Sequence, residues 1–389
     1  MNTHTVTPQN NTVKGPRLAS IDIMRGLVMV FMLLDHVRER FYYQHKITDP
    51  ITLEDTEAEL FFTRILAHLC APIFVFLTGV SAWLYANPAN KPPRSAQQFL
   101  LKRGLFLVLL EVTLINFSWF GAYNALYLQV IWAIGVSMIT LGLLSKLPHK
   151  WIAALGLAIV FGHNSLEFIQ FSPGEWGYSL WTILHDRGPL YSSDSFTVFA
   201  SYPVLPWIGV ILLGYAIGPI FSRRFNSEQR QSKLVKLSIL ALSLMLVLRG
   251  FNIYGEDLPW QTGATCLDSV MSFLNFTKYP PSLMFILLTL GIALSLLALF
   301  EKTQNKLTDA LKTYGSAPMF FYIFHLYILL IGYKLAMWGI GPNAGDIFGF
   351  AALWQVWLLT AILAVLLYFP TRAFARYKHA SKQAWVKYL

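Results

Sequence analysis

Long apolar runs broken by short charged stretches dominate the chain. With ~20 apolar residues needed to cross a hydrocarbon core, the pattern predicts helices near 18–38, 60–86, 100–121, 126–146, 151–168, 203–221, 236–253, 281–300, 315–338 and 350–371. The expected fold class is therefore all-α: a polytopic integral membrane helix bundle with about ten transmembrane helices. Residues 1–16 are polar and Asn/Thr-rich and are expected to form a disordered tail. They lack the apolar segment of a cleavable signal, so the first helix is expected to be retained. The bundle is expected to span 17–371, with a basic tail over 372–389. Two longer polar stretches, Ile169 to Tyr202 and Tyr254 to Pro280, separate helices on the same side. Long structured connections in a compact protein are often functional.

Composition supports the membrane reading. Hydrophobic residues make up 55% of the chain, aromatics 15% and charged residues only 13%, with a mean hydropathy of +0.50. A net charge of +10 raises the question of nucleic acid. The basic residues, however, follow the loops and form no basic domain. Of the 30 Lys and Arg, 21 fall on the side shared by both termini, 8 on the other, and Arg25 lies inside the first helix. That bias predicts both ends in the cytoplasm and contact with anionic lipid, and it removes the reason to invoke nucleic acid. Cys70 and Cys266 lie far apart in sequence and in expected depth, so no disulfide is expected.

Ionisable residues inside apolar helices are costly and are usually functional or internally paired. The first helix has the densest set: Asp22, Arg25, Asp35, His36 and Arg38. Arg25 and His36 are eleven residues apart, three turns plus ~20°, so they share a face with ~16 Å between them along the axis. Asp22 precedes Arg25 by three residues and is placed to pair with it. Met29 and Met32 lie between the two ends of the stripe. A structural ion pair explains Asp22 and Arg25 as well as an anchor for an anionic donor does. His36 fits either a satisfied interfacial histidine or a general base, since imidazole titrates near neutrality. Asp35 lies 100° around the helix from His36 and need not touch it. Trp176, Trp181 and Trp260 beside Asp186, Asp194, Asp257 and Asp268 in the two long stretches would suit a sugar ring, although interfacial Trp is common in membrane proteins.

The Arg25-x10-His36 spacing after Ile21-Asp22 resembles the signature of acyltransferase-3 membrane enzymes. A wider set of motifs resembles bacterial relatives of heparan-alpha-glucosaminide N-acetyltransferase. It comprises Arg17-Leu18-x-Ser20-Ile21-Asp22-x-x-Arg25-Gly26, Leu34-Asp35-His36-Val37-Arg38, Phe61-Phe62-Thr63-Arg64 and Cys70-Ala71-Pro72 running to Gly79. His163-Asn164, Tyr202-Pro203 running to Trp207 and Gly209, Lys278-Tyr279-Pro280-Pro281-Ser282 and Phe321-Tyr322-x-x-His325 complete it. The resemblance implies transfer of an acetyl group from cytoplasmic acetyl-CoA, the acyl donor, to the amine or hydroxyl of a sugar or glycan across the membrane. It also implies a bacterial inner membrane location and is compatible with a homodimer.

By that resemblance His36, Asp35, Arg25 and Asp22 form the catalytic set. His45 is the rival base, because in the lysosomal enzyme the position matching His36 is Asn and the active histidine falls near His45. Arg25, Arg38, Arg64 and His68 are the expected donor-binding residues; His163, Asn164, Trp207, Lys278, Tyr279 and His325 are the expected acceptor-binding ones. The basic pairs Arg223-Arg224 and Lys102-Arg103 suit CoA phosphates, although topology alone explains them. Glu111 is expected to be neutral or paired if it faces the bundle. No metal-ligand spacing is visible and no metal is expected. Direct attack on the thioester and an acetyl-histidine route both remain open. The alternative class is a proton-coupled transporter, which would call for paired halves with broken helices that the sequence does not display.

Overall fold

The computed structural model describes residues 18–383 and 385–388. The expected tail at 1–16 lies outside the described residues. The first helix, α1 (Ala19–Phe41), is the hub of the bundle. It packs against α2 (Ala58–His68), α3 (Cys70–Ala86) and, from the far end of the chain, α12 (Leu283–Phe300), α13 (Lys306–Ser316), α14 (Pro318–Gly339) and α15 (Leu353–Ala380). This explains how a helix bearing Asp22, Arg25, Asp35, Arg38, Glu39 and Arg40 sits in an apolar protein. Its charges meet other helices instead of lipid.

Small residues set the closest crossings. A Cβ added to Gly26 would lie 1.8 Å from the Leu311 carbonyl oxygen, and one added to Gly315 would lie 1.8 Å from that of Asp22. Only glycine lets α1 and α13 approach this far. Gly79 of α3 and Gly214 of α9 (Leu205–Ile217) meet in the same reciprocal way.

Among the described residues, five helical segments are long and apolar enough to cross a membrane: Ala58–Ala86, Ser227–Gly250, Leu283–Phe300, Pro318–Gly339 and Leu353–Ala380. Val130–Leu144 and Leu205–Phe221 are shorter apolar helices. The protein is an integral membrane protein. Ile239, Leu240, Leu246 and Val247 on α10 (Ser227–Gly250) and Leu358, Val365, Leu366 and Phe369 on α15 stay exposed, which suits a lipid-facing surface. Three of the ten expected spans, those on α1, on the segment from α4 (Gln97–Leu110) to α5 (Asn116–Phe120), and on α7 (His149–Gly162), are not among these apolar segments. Charge on α1 accounts for the first of them.

Several boundaries depart from the sequence reading. The expected helix over 60–86 breaks at Leu69, just before Pro72, which has no backbone N–H to donate to the carbonyl one turn earlier. α4 passes through a π-helical turn at Glu111–Ile115 into α5. Asn116 Nδ2 donates to the Glu111 carbonyl (2.7 Å) and to that of Tyr127 (3.0 Å), tying the turn to β1 (Ala125–Leu128). The all-α expectation needs correction, because β1 pairs in parallel with β3 (Thr197–Ala200), and β3 pairs antiparallel with β2 (Gly188–Ser192). That sheet takes the first residues of the helix expected over 126–146, so α6 starts at Val130. α8 (Tyr178–Leu184), α11 (Cys266–Leu274) and α13 lie in stretches expected to be irregular. α15 runs through Pro370 to Ala380, into the residues expected to form the tail.

Candidate active site

A cavity of ≈ 320 Å³ runs along the polar stripe of α1. At one end it is lined by Arg25, Ser81, Arg103, Ser316 and Lys378. Arg25 donates to Asp22 Oδ1 (3.1 Å) and to the Ser81 hydroxyl, which orients the guanidinium. Met29, Met32, Phe74, Ile134 and Met138 line the middle. The far end holds Asp35, His36, Tyr202, Lys278 and Tyr322. The shared face expected for Arg25 and His36 is thus the wall of a cavity whose ends are polar and whose middle is apolar.

At the far end His36 is buried and its ring lies nearly coplanar with that of His325, edge to edge, with ring planes 10° apart and Nδ1 of His36 2.7 Å from Nε2 of His325. The other nitrogen of His325, Nδ1, lies 2.8 Å from the Phe321 carbonyl oxygen. A carbonyl only accepts, so His325 carries its proton on Nδ1. For two neutral rings, His325 Nε2 then accepts from His36 Nδ1, and the lone pair of His36 is left on Nε2. His36 makes no other hydrogen bond among the described residues. Trp119 and Tyr322 meet its ring edge-on, with centroids 5.0 and 5.9 Å away, and fix its plane. The arrangement yields an oriented base facing a cavity.

Asp35 does not engage His36. It accepts from Arg38 (2.8 Å) and Arg64 (3.1 Å), a buried charge cluster that ties α1 to α2. The loop carrying Lys278 is held by its backbone. Asp49 accepts the amide protons of Lys278 (3.2 Å) and Tyr279 (2.8 Å), and Glu256 accepts from Thr277 Oγ1 and Ser282 Oγ, each at 2.6 Å. Burial raises the Glu256 carboxyl above its ordinary range, against the pull of these donors. The Tyr279 hydroxyl donates to that of Tyr202 (3.0 Å), leaving the Tyr202 proton for another acceptor.

Of the residues expected from sequence, Arg25, Asp35, His36 and Lys278 line the cavity; Asp22, Arg38, Arg64, Tyr279 and His325 contact a residue that does. The others lie elsewhere. His45 is in the exposed loop after α1, stacked on Tyr42. His68 is buried against Phe285, and its Nε2 has no partner. Trp207 is fully buried beside Tyr202. Asn164 accepts from the Leu283 amide (2.9 Å), capping α12, and donates to Glu167 (2.6 Å). The backbone carbonyl of His163 lies 3.0 Å from His185 Nε2. Arg223 reaches Asn90 (2.5 Å), outside the cavity. Glu111 accepts from the Trp132 amide (2.9 Å) at the start of α6.

Tyr202, Tyr322, Trp119, Ser81 and Lys378 join the site without having been singled out from sequence. Tyr202 and Tyr322 stand inside the motifs quoted above, next to residues that were. Ser81 and Lys378 carry no local signal, since their place depends on packing.

In this bundle of membrane helices the cavity along α1 is polar at both ends, apolar in the middle, and lined at one end by an oriented histidine. The family model described as heparan-alpha-glucosaminide N-acetyltransferase, catalytic, matches residues 17–254, and the chain belongs to that family. The family is one of membrane acetyltransferases that use acetyl-CoA as co-substrate. The matched stretch includes Arg25, His36 and Tyr202; Lys278 and His325 lie beyond it. No curated protein matches the chain.

Proposed function

We propose that the protein transfers an acetyl or short acyl group from cytoplasmic acyl-CoA, through the cavity along α1, to an amine or hydroxyl of a sugar or glycan on the opposite side of a bacterial inner membrane. The loop charge bias supports ten crossings with both ends inside, which puts the Arg25 end in the cytoplasm. The observation that carries the reading is the cavity itself. Its Arg25 end is basic, its middle is narrow and apolar, and His36 waits at the far end. The ~16 Å between these ends on α1 is a distance that an extended pantetheine arm can span while the nucleotide stays outside.

On this reading Arg25, Arg103 and Lys378 face the phosphates and the thioester carbonyl reaches His36. The acceptor enters from the other side. His36 Nε2 takes the proton as the acceptor nitrogen or oxygen attacks the thioester carbonyl carbon. A carbon–nitrogen or carbon–oxygen bond forms, the carbon–sulfur bond breaks, and the proton passes to the CoA thiolate, giving acetylated acceptor and free thiol. His325 acts by positioning, since it holds the proton of His36 on Nδ1. The direct route suits this geometry, and attack by Nε2 itself would give an acetyl-histidine intermediate instead.

The test uses full-length protein in nanodiscs with radiolabelled acetyl-CoA. Wild type should bind and turn over the thioester, and His36→Ala should bind without turnover. Loss confined to His45→Ala would move the base into the loop after α1. Absence of binding by wild type would favour transport.

A further inference from the structure

Lys278 is only 3% exposed and lines the cavity together with Asp35, His36 and Tyr202. Among the described residues its Nζ has no hydrogen bond and no carboxylate within 4.0 Å. The three nearby carboxylates are already engaged, Glu39 with Arg38 (3.3 Å). Asp35 is shared between Arg38 and Arg64, and Asp49 is turned to the backbone amides of Lys278 and Tyr279. The Lys278 ammonium lies over the Tyr279 ring, 5.1 Å from the centroid, and a buried cation held by a ring face with no hydrogen bond is costly. Its surroundings also prevent an easy escape. Asn275, three residues earlier, exchanges two hydrogen bonds with the backbone of Ile51 (2.7 and 3.0 Å), and Glu256 binds Thr277 and Ser282 on either side. Arg249, fully buried, donates to the carbonyls of Ser272, Phe273 and Asn275 just upstream. The loop is a rigid mount for one ammonium and, through the Tyr279 hydroxyl, for the hydroxyl of Tyr202.

We propose that Lys278 Nζ and the Tyr202 hydroxyl form the oxyanion-stabilising pair of the transfer step. This inference rests on the acyltransferase reading above. When the acceptor attacks, the carbonyl π electrons move to oxygen, and the negative charge appears at the end of the cavity where His36, Lys278 and Tyr202 converge. The Tyr202 proton is available because its oxygen already accepts from Tyr279. Donors fixed before charge develops act most strongly in a site from which water is excluded. As the intermediate collapses, the charge leaves with the CoA sulfur and Lys278 is left with its contact to the Tyr279 ring. The rival role is a ground-state anchor for an anionic group on the acceptor, and kinetics distinguishes the two.

The experiment measures CoA release by full-length protein in nanodiscs, with water as acceptor and then with glucosamine, for wild type, Lys278→Met, Lys278→Arg and Tyr202→Phe. Loss of one such donor is expected to lower kcat roughly 10²- to 10³-fold in Lys278→Met, with KM for acetyl-CoA within about threefold of wild type. Tyr202→Phe should lose about tenfold or more, again in kcat, and Lys278→Arg should recover part of the loss. A folded Lys278→Met that keeps most of its kcat, or whose defect lies only in KM for glucosamine, overturns the proposal. If Lys278→Met does not fold, Tyr202→Phe decides, because it removes one hydroxyl and little packing; unchanged kcat there defeats the pair. A wild type inert toward acetyl-CoA removes the acyltransferase reading and this inference with it, a result distinct from active wild type with indifferent variants.

Discussion

Two pairs of buried histidines sit among the described residues of this bundle, and they are arranged differently. His36 and His325 meet nitrogen to nitrogen at 2.7 Å, and the Phe321 carbonyl behind them fixes every proton. His163 and His185 are just as buried, yet their hydrogen bond runs from the His185 ring to the His163 backbone, and neither ring nitrogen of His163 has a hydrogen-bond partner among the described residues. His36 opens on a cavity shared with Lys278 and Arg25, whereas His163 does not line it. Burial and a place in a motif therefore do not separate the two pairs. A defined lone pair facing a cavity does, and the proposed function rests on that difference.

The contrast fails most visibly if His36 is dispensable. His36→Ala should lower acetyl transfer by roughly 10³-fold, within the range for a general base, while acetyl-CoA binding measured by calorimetry stays near wild type. His325→Leu should follow with a loss of about 10²-fold in kcat, because His36 keeps its place but loses the acceptor that pins its proton to Nδ1. An equal loss in the two variants would assign the base to the pair as a unit; no loss in His325→Leu would break the tautomer argument.

How much of this was legible beforehand depended on the range of the interaction. The polar stripe of α1 is written in an eleven-residue spacing, and the Asp22–Arg25 pair in a three-residue one, so both appear in the sequence and in the structure. The break at Leu69 was signalled only by Pro72. The sheet was not legible, because its strands have four or five residues and Ala125 pairs with Thr197 across three intervening α-helices. α13 escaped notice because it is short and carries Lys306, Asp309 and Lys312 among its apolar residues, so it lacks the run that marks a span. His325 was singled out on its own helix, but its partner lies 289 residues away and no local pattern encodes that distance. His163 and Asn164 stood out for being polar near an apolar helix end. For Asn164 the structure supplies a capping role.

His163 sharpens the comparison from the other side. Replacing a buried polar group that lacks partners with an apolar one of similar size is neutral or stabilising, by up to about 1 kcal/mol. His163→Leu should therefore leave acetyl transfer within about threefold of wild type and keep or raise the thermal midpoint. A large loss of kcat with unchanged stability would bring this second pair into the chemistry.

The smallest effect concerns the carboxyl next to that pair. Glu167 accepts from Asn164, and burial together with hydrogen bonding to the neighbouring Asp257 carboxyl pushes its pKa up to about 8 from an ordinary 4.5. Between those two values the folded protein holds a proton that the unfolded chain has released. Stability contributed there is present at low pH and falls as pH rises toward 8, because folding then opposes ionisation. Glu167 is only partly buried, so solvent screening keeps the effect modest. Thermal midpoints in nanodiscs from pH 5 to pH 8.5 should decline for wild type and decline less for Glu167→Gln, which retains the hydrogen-bond acceptor without the charge. Parallel curves would mean that this carboxyl is ionised in the folded state at neutral pH, and that the loop after α7 carries no stored proton. Activity should be affected less than stability in either case, since the carboxyl touches neither His36 nor the wall of the cavity.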